Sequence, residues 1–332
     1  MTNTYAEYIR ILGRGPTKSR HLTREEAHFA FAGVLSGDMS DMQVGALLLL
    51  LRYRSESPEE LAGIVTAIRE HIASDSVLVG ENDGSVAENL VDWPSYSSGR
   101  SRRLPWFLLS AKLLAENGIK VFMHGFNSHL ENGLLTEECL EAVGEQAVGS
   151  VHEAKERLAT ENFVYLPLRN FSPKLKELLE IRSILGVRSI VNTAVKLVNP
   201  LGAKLTFLGI FHPAYITLNV AAANLLKQPS LGVIKGGGGE AERNILKPIK
   251  LYQIANGAEQ ISRWASLCDG PADYPVTCEY LADIWQGRCK DDYATQMIVG
   301  TAAQALYLTG RATNVEEAEK LALQYWHKHS EQ

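Results

Sequence analysis

Three loops of small and polar residues concentrate the side chains suited to chemistry. They read Pro94-Ser95-Tyr96-Ser97-Ser98-Gly99-Arg100, His124-Gly125-Phe126-Asn127 and Lys235-Gly236-Gly237-Gly238-Gly239-Glu240-Ala241-Glu242. Small residues opening onto a helix turn backbone N–H groups toward an anion, so each loop is a candidate phosphate cradle. The spacing is not diagnostic. The four glycines lack the G-x-G-x-x-G pattern of dinucleotide sites and there is no P-loop, so a flexible surface turn is the simpler reading of that run. His124, at the end of an apolar run, suits contact with an attacking amine, or equally a satisfied structural hydrogen bond.

A second kind of chemistry follows from charge. The 332 residues hold 33 Lys+Arg against 38 Asp+Glu, a net charge of −5, which argues weakly against a polyanionic partner. Three windows nevertheless contain no acid. Ile9 to Arg24 holds Arg10, Arg14, Lys18, Arg20 and Arg24; Trp93 to Ala115 holds Arg100, Arg102, Arg103 and Lys112; Ile181 to Gly239 holds Arg182, Arg188, Lys196, Lys204, Lys227 and Lys235. Together they carry +15, leaving −20 on the rest of the chain. Burial explains missing acids in the last window, because an unpaired buried charge is costly. It does not explain six retained cations, which bind a polyanion if they converge in space.

The elements that must position these residues change character along the chain. Thr2 to about Ser74 reads as helices: Thr23 to Gly37 with a Thr N-cap, Asp41 to Tyr53, and a capping box at Ser57-Pro58-Glu59-Glu60 followed by Leu61, Ile64, Val65 and Ile68 at helical spacing. From about Leu78, short apolar runs at Leu90–Trp93, Val121–His124, Phe163–Leu166, Leu205–Phe211 and Ser230–Lys235 alternate with amphipathic segments at Trp106–Asn117, Leu135–Val143, Val151–Thr160 and Tyr215–Leu226. Helices return at Cys278–Ile284, Asp291–Leu308 and Val315–His327. The expected fold class is α/β: a small N-terminal helical domain plus a large α/β domain with a mainly parallel sheet flanked by helices, its ligand site beyond the strands' carboxyl ends. The helical domain is residues 1–75 with a returning helical segment at about 173–192, and the α/β domain is 76–172 and 193–332. Met1 to Gly13 lacks a signal-peptide pattern, no run approaches a membrane span, and the four cysteines form no Cys-x-x-Cys pair, so a reduced cytoplasmic protein with no membrane association is expected.

The order of landmarks resembles the anthranilate phosphoribosyltransferases, with their nucleoside phosphorylase/phosphoribosyltransferase-like fold. Gly13-Arg14-Gly15, Leu61-Ala62-Gly63, His124-Gly125, Leu185-Gly186-Val187-Arg188, Asn199-Pro200-Leu201-Gly202-Ala203 and Leu208-Gly209-Ile210-Phe211-His212-Pro213 carry the resemblance over nearly the whole chain. It implies a homodimer through the helical domain and, in active enzymes, phosphoribosyl pyrophosphate held with magnesium between the domains. The family's Gly-Thr-Gly-Gly-Asp loop is replaced here by Ser95-Tyr96-Ser97-Ser98-Gly99, its Asn-Ile-Ser-Thr helix start by Pro105-Trp106-Phe107-Leu108, its Lys-His-Gly-Asn-Arg loop by Met123-His124-Gly125-Phe126-Asn127, and its magnesium-binding acidic pair by Ala241-Glu242. Arg182 matches the arginine that pairs with the anthranilate carboxylate; it and Arg188 serve either a ligand or ion pairs between domains. The pattern is similar to the YbiB-type branch, which implies DNA and RNA binding without sequence preference.

Two expectations follow. In the first, a degenerate catalytic site accompanies a basic groove across the dimer that binds nucleic acid through Arg14, Lys18, Arg20, Arg100, Arg102, Arg103, Lys196 and Lys235, with no cofactor, and with Trp93, Tyr96 and Trp106 available to stack on bases. In the second, a phosphoribosyl transferase acting on an aromatic amine or another acceptor uses Ser95, Ser97, Ser98, Gly99, His124, Gly125, Asn127 and Arg182, with Mg²⁺ on Glu242.

Overall fold

The computed structural model describes residues 4–75, 89–96, 104–126, 134–255, 257–270 and 272–331. The chain begins with α1 (Ala6–Gly13), α2 (Arg24–Leu35), α3 (Asp41–Arg54) and α4 (Pro58–Asp75). Two capping boxes set the starts of α2 and α4. Thr23 accepts from the Glu26 N–H at 3.2 Å while Glu26 accepts from Thr23, and Ser57 and Glu60 repeat the exchange at 3.1 and 2.8 Å. Each such cap is worth about 1 kcal/mol. The spacing Leu61, Ile64, Val65, Ile68 is fully buried. Helices α2 and α4 approach so closely that a Cβ on Gly63 would lie 2.2 Å from the Arg24 carbonyl oxygen.

The second domain follows as β1 (Leu90–Ser95), α5 (Trp106–Glu116), β2 (Lys120–Gly125), α6 (Val151–Thr160), β3 (Phe163–Pro167), α7 (Pro173–Glu180), α8 (Arg182–Leu185), α9 (Val191–Ala194), β4 (Leu205–Ile210), α10 (Ala214–Leu225), β5 (Ser230–Lys235), β6 (Ile249–Ala255), β7 (Ala258–Trp264), α11 (Cys278–Trp285), α12 (Asp292–Leu308) and α13 (Val315–Ser330). The strands form one sheet in the order β3-β2-β1-β4-β5-β6-β7. Strands β1 to β5 run parallel, and β6 and β7 add an antiparallel hairpin at one edge. Alternation along each strand feeds two cores, with Val121 and Met123 on one face and Phe122 on the other.

Between β1 and β4 the strand order reverses, since β2 lies on one side of β1 and β4 on the other. In open α/β sheets that point leaves a crevice at the carboxyl ends. The helical domain is tied to the α/β domain: the Arg69 guanidinium on α4 donates to the Leu197 and Val198 carbonyls at 2.9 and 2.8 Å, and Arg24 donates to the Leu225 carbonyl at 3.1 Å.

Two local expectations change. Leu135–Val143 forms turns and a single 3-10 turn at Glu141–Val143 rather than a helix; Glu138 folds back to accept from the Leu135 N–H at 3.0 Å, and Cys139, Leu140 and Val143 are buried without a longer element. The β6–β7 hairpin was not anticipated. Among the described residues no helix is long and apolar enough to cross a membrane.

Candidate anion-binding cleft

A cavity of about 550 Å³ opens at the switch point. Each wall comes from a different element: Arg52 near the end of α3, Tyr96 after β1, Phe126 after β2, Arg182 to Lys196 from the segment carrying α8 and α9, Ile210-Phe211-His212 after β4, Tyr215 on α10, and Gly238-Gly239 after β5. Among the described residues no Asp or Glu lines it. Arg182 is exposed and Arg188 half-buried, and burial, with the neighbouring charges of Arg182 and Arg52, lowers the Arg188 pKa. Arg182 and Arg188 are thus held together with no ion-pair carboxylate among the described residues, an arrangement that an incoming anion relieves. Arg52 also lies over the Tyr215 ring, 5.6 Å from its centroid, with the Glu56 carboxylate 3.9 Å away.

Lys196 occupies the floor. Its ammonium donates to the Gly209 and Gly239 carbonyls at 2.7 and 2.5 Å, and burial lowers its pKa to about 8 against the opposing pull of Glu240. The side chain therefore ties the glycine turn to β4 rather than standing on an open surface. That turn is not a loose one: a Cβ on Gly236 would sit 1.6 Å from the Glu240 carbonyl oxygen, and Gly239 has φ +88.

His124 lies behind the wall, fully buried. A carboxylate only accepts, so the His124 Nε2–H donates to Asp92 Oδ1 at 3.0 Å; in the neutral imidazole Nδ1 then accepts from the Tyr96 hydroxyl at 2.7 Å. Phe122 stacks on the ring and Phe171 meets its edge. Burial first, then Tyr165, Asp92 and Glu240, raise the Tyr96 pKa well above its usual value, keeping it a phenol. Ser95 is buried against Thr136 at 3.0 Å, and Gly125 is packed so tightly that a Cβ would lie 2.2 Å from the Ser95 carbonyl oxygen. Glu242, 1% exposed, accepts from the Phe107 N–H at 3.2 Å and so caps α5. Its position suits a helix start and does not fit a hydrated Mg²⁺.

The remaining predicted residues divide. Arg14 and Lys18 are exposed. Their loop lies along α3, since a Cβ on Gly13 would meet Leu50 and Arg54 donates to Ser19. Arg20 is held in a two-pronged pair with Glu26 at 2.6 and 2.7 Å. Lys235 is exposed at the end of β5. Lys204 and Lys227, from the same acid-free window, lie at the opposite, amino ends of β4 and β5. Ser97, Ser98, Gly99, Arg100, Arg102, Arg103 and Asn127 lie outside the described residues. Trp93 and Trp106 are both fully buried in the core, so neither offers a face to a base. Sequence reasoning missed Arg52, Asn192 and Tyr215. Arg52 breaks the apolar run Val44 to Leu51, and a cation interrupting such a run at a helix end was the available signal.

A helical bundle seated on a mostly parallel sheet, with its cleft at the junction, is the architecture of a two-domain glycosyl transferase. The sequence matches the glycosyl transferase family helical bundle domain over residues 6–72 and the glycosyl transferase family a/b domain over residues 107–267. The anthranilate phosphoribosyltransferase of Aquifex aeolicus (strain VF5) is 32% identical over 242 residues, 72% of this chain and 68% of that protein. The uncharacterized protein YbiB of Escherichia coli (strain K12) is 30% identical over 214 residues, 64% of each chain. The crystal structure of anthranilate phosphoribosyltransferase from Thermus thermophilus has the same fold, with a TM-score of 0.78 at 21% identity over 99% of this chain and 96% of that one. The chain belongs to this glycosyl transferase family as an anthranilate phosphoribosyltransferase-like member.

Proposed function

We propose that this protein binds DNA or RNA without base preference along a basic track and that its catalytic site is degenerate. The observation that carries the reading is the gathering of Arg52, Arg182 and Arg188 around a cleft whose described wall holds no carboxylate, next to the loop bearing Arg14 and Lys18. Lys and Arg spaced along a groove release counterions from the phosphate backbone, giving affinity that depends on salt and not on bases. Lys235, exposed at the end of β5, extends the track; Arg20 and Lys196, already held by Glu26 and by two carbonyls, add little to it. The degeneracy is supported by Glu242 serving as a helix cap and His124 being sealed behind Tyr96. A homodimer through the helical domain joins two tracks; Met42 at 86% and Tyr53 at 88% exposure on α3 are apolar and aromatic surface in keeping with it. Titration with DNA at two salt concentrations tests the proposal: binding that weakens steeply with salt is expected, and no binding at low salt, or binding indifferent to salt, refutes it.

The cleft's volume favours one second reading, a phosphoribosyl transferase with another acceptor. It suits a small ligand, and Arg182 lines the cleft. Calorimetry with phosphoribosyl pyrophosphate and Mg²⁺ distinguishes the two: heat of binding and turnover of an aromatic amine support the transferase, and their absence removes it.

A further inference from the structure

The cavity walls carry a chemistry that a backbone track alone does not need. Tyr96, Phe126, Phe211, His212 and Tyr215 supply ring surface, and Phe211 is 50% exposed at the rim. Two polar groups have fixed senses. With the His124 imidazole neutral, the Tyr96 hydroxyl proton goes to Nδ1, and its oxygen offers a ligand lone pairs. Asn192 Oδ1 accepts from the Ser189 N–H at 3.0 Å, so its amide nitrogen is left to donate. An acceptor and a donor among aromatic walls, with Arg182 and Arg188 at the same cavity, match a planar heterocycle carrying both hydrogen-bonding senses and attached to a phosphate.

We infer that the cavity receives one unpaired nucleotide of a bound strand, its base among the aromatic walls and its phosphate at Arg182 and Arg188. The inference rests on the nucleic-acid reading and adds a preference to it: a base stacked in a duplex cannot enter, so single strands bind more tightly than duplexes. One base–aromatic stack changes affinity by roughly 5- to 150-fold, which sets the size of the preference.

The test compares four probes at one salt concentration with the full chain: a single-stranded oligonucleotide carrying 2-aminopurine, its duplex, an abasic strand of equal length, and free deoxyadenosine monophosphate. The single strand is expected to bind at least about 5-fold more tightly than the duplex and the abasic strand, with a change in 2-aminopurine fluorescence. Phe211→Ala, a substitution at a half-exposed position, is expected to reduce that advantage. Equal affinity for all three polymers, unaffected by Phe211→Ala, overturns the inference while leaving the basic track in place. Binding of the free mononucleotide with none of any polymer overturns both and assigns the cavity to a small nucleotide.

Discussion

Replacing Arg182 and Arg188 with alanine separates a ligand role from an architectural one, because the two roles move stability in opposite directions. Among the described residues neither guanidinium has a carboxylate partner within ion-pair distance, and burial together with Arg182 and Arg52 already disfavours charge on Arg188. Removing them therefore relieves repulsion. With Arg182 exposed to solvent, the change in unfolding free energy is expected to be between zero and a gain of about 0.5 kcal/mol. If each arginine contacts one phosphate, the log–log salt dependence of single-strand binding flattens by about 0.7 per residue, or about 1.4 for the pair. The assay is fluorescence anisotropy with a labelled single strand between 50 and 200 mM salt, roughly the span over which counterion release is conspicuous, alongside urea unfolding. Lys204→Ala with Lys227→Ala is the control, since both lie at the amino ends of their strands and should leave the slope unchanged. A double variant of Arg182 and Arg188 with an unaltered slope and a lowered unfolding midpoint would refute the argument and make the arginines domain ties.

Three further outcomes are expected. Glu242→Ala strips the cap from α5 and leaves a buried N–H without its acceptor, so it should cost about 1–3 kcal/mol in urea unfolding while nucleic-acid affinity stays as it was; lost affinity at unchanged stability would place Glu242 in the binding site instead. The Lys196 pKa is lowered on folding, so between about 8 and the ordinary 10.5 the unfolded chain holds more protons and stability rises with pH, by about 3 kcal/mol across the window. Subtracting the urea midpoints of Lys196→Met from those of the parent at each pH isolates that term, and a flat difference would show the ammonium not to be buried. Met42→Glu puts a charge on the exposed face of α3, and sedimentation should show a dimer for the parent and a monomer for the variant; equal masses would move the interface elsewhere.

Much of the scaffold was legible because its signals are local. The capping box at Ser57–Glu60 and the apolar runs of β1 to β5 announce elements through near neighbours in sequence, and all appear where expected. The β6–β7 hairpin carried an equally local signal: Asn256-Gly257 sits between two strand-forming runs, and Gly257 has φ +77. Its runs are interrupted by polar residues, Lys250 and Gln253 in β6 and Glu259, Gln260, Ser262 and Arg263 in the largely exposed edge strand β7, so neither forms a continuous apolar segment. The site was less legible, since every partner that decides a role is distant in the chain. Glu242 meets Phe107, His124 meets Asp92 and Tyr96, and Lys196 meets Gly239. Residue type says what each can donate or accept, and only the sheet order says to whom.

The acid-free windows show why charge patterning reaches so far and no further. The window from Ile181 to Gly239 lacks acids for two reasons that sequence cannot separate. Along β4 and β5 the strands are buried on both faces, and an acid there would cost its desolvation. Arg182 is exposed, so desolvation does not forbid a carboxylate beside it, and a pairing acid would offset the repulsion between Arg182 and Arg188. A cluster that forgoes that pairing retains its free charge for an external anion. Lys204 and Lys227 belong to the same stretch of sequence yet emerge at the far end of the sheet, because a parallel strand carries its two ends to opposite sides of the molecule. What sorts the window's cations into those at the site and those away from it is therefore the direction of β4 and β5, which places the arginines' segment, the glycine turn and the aromatic loop after β4 together at the carboxyl ends and Lys204 and Lys227 at the other.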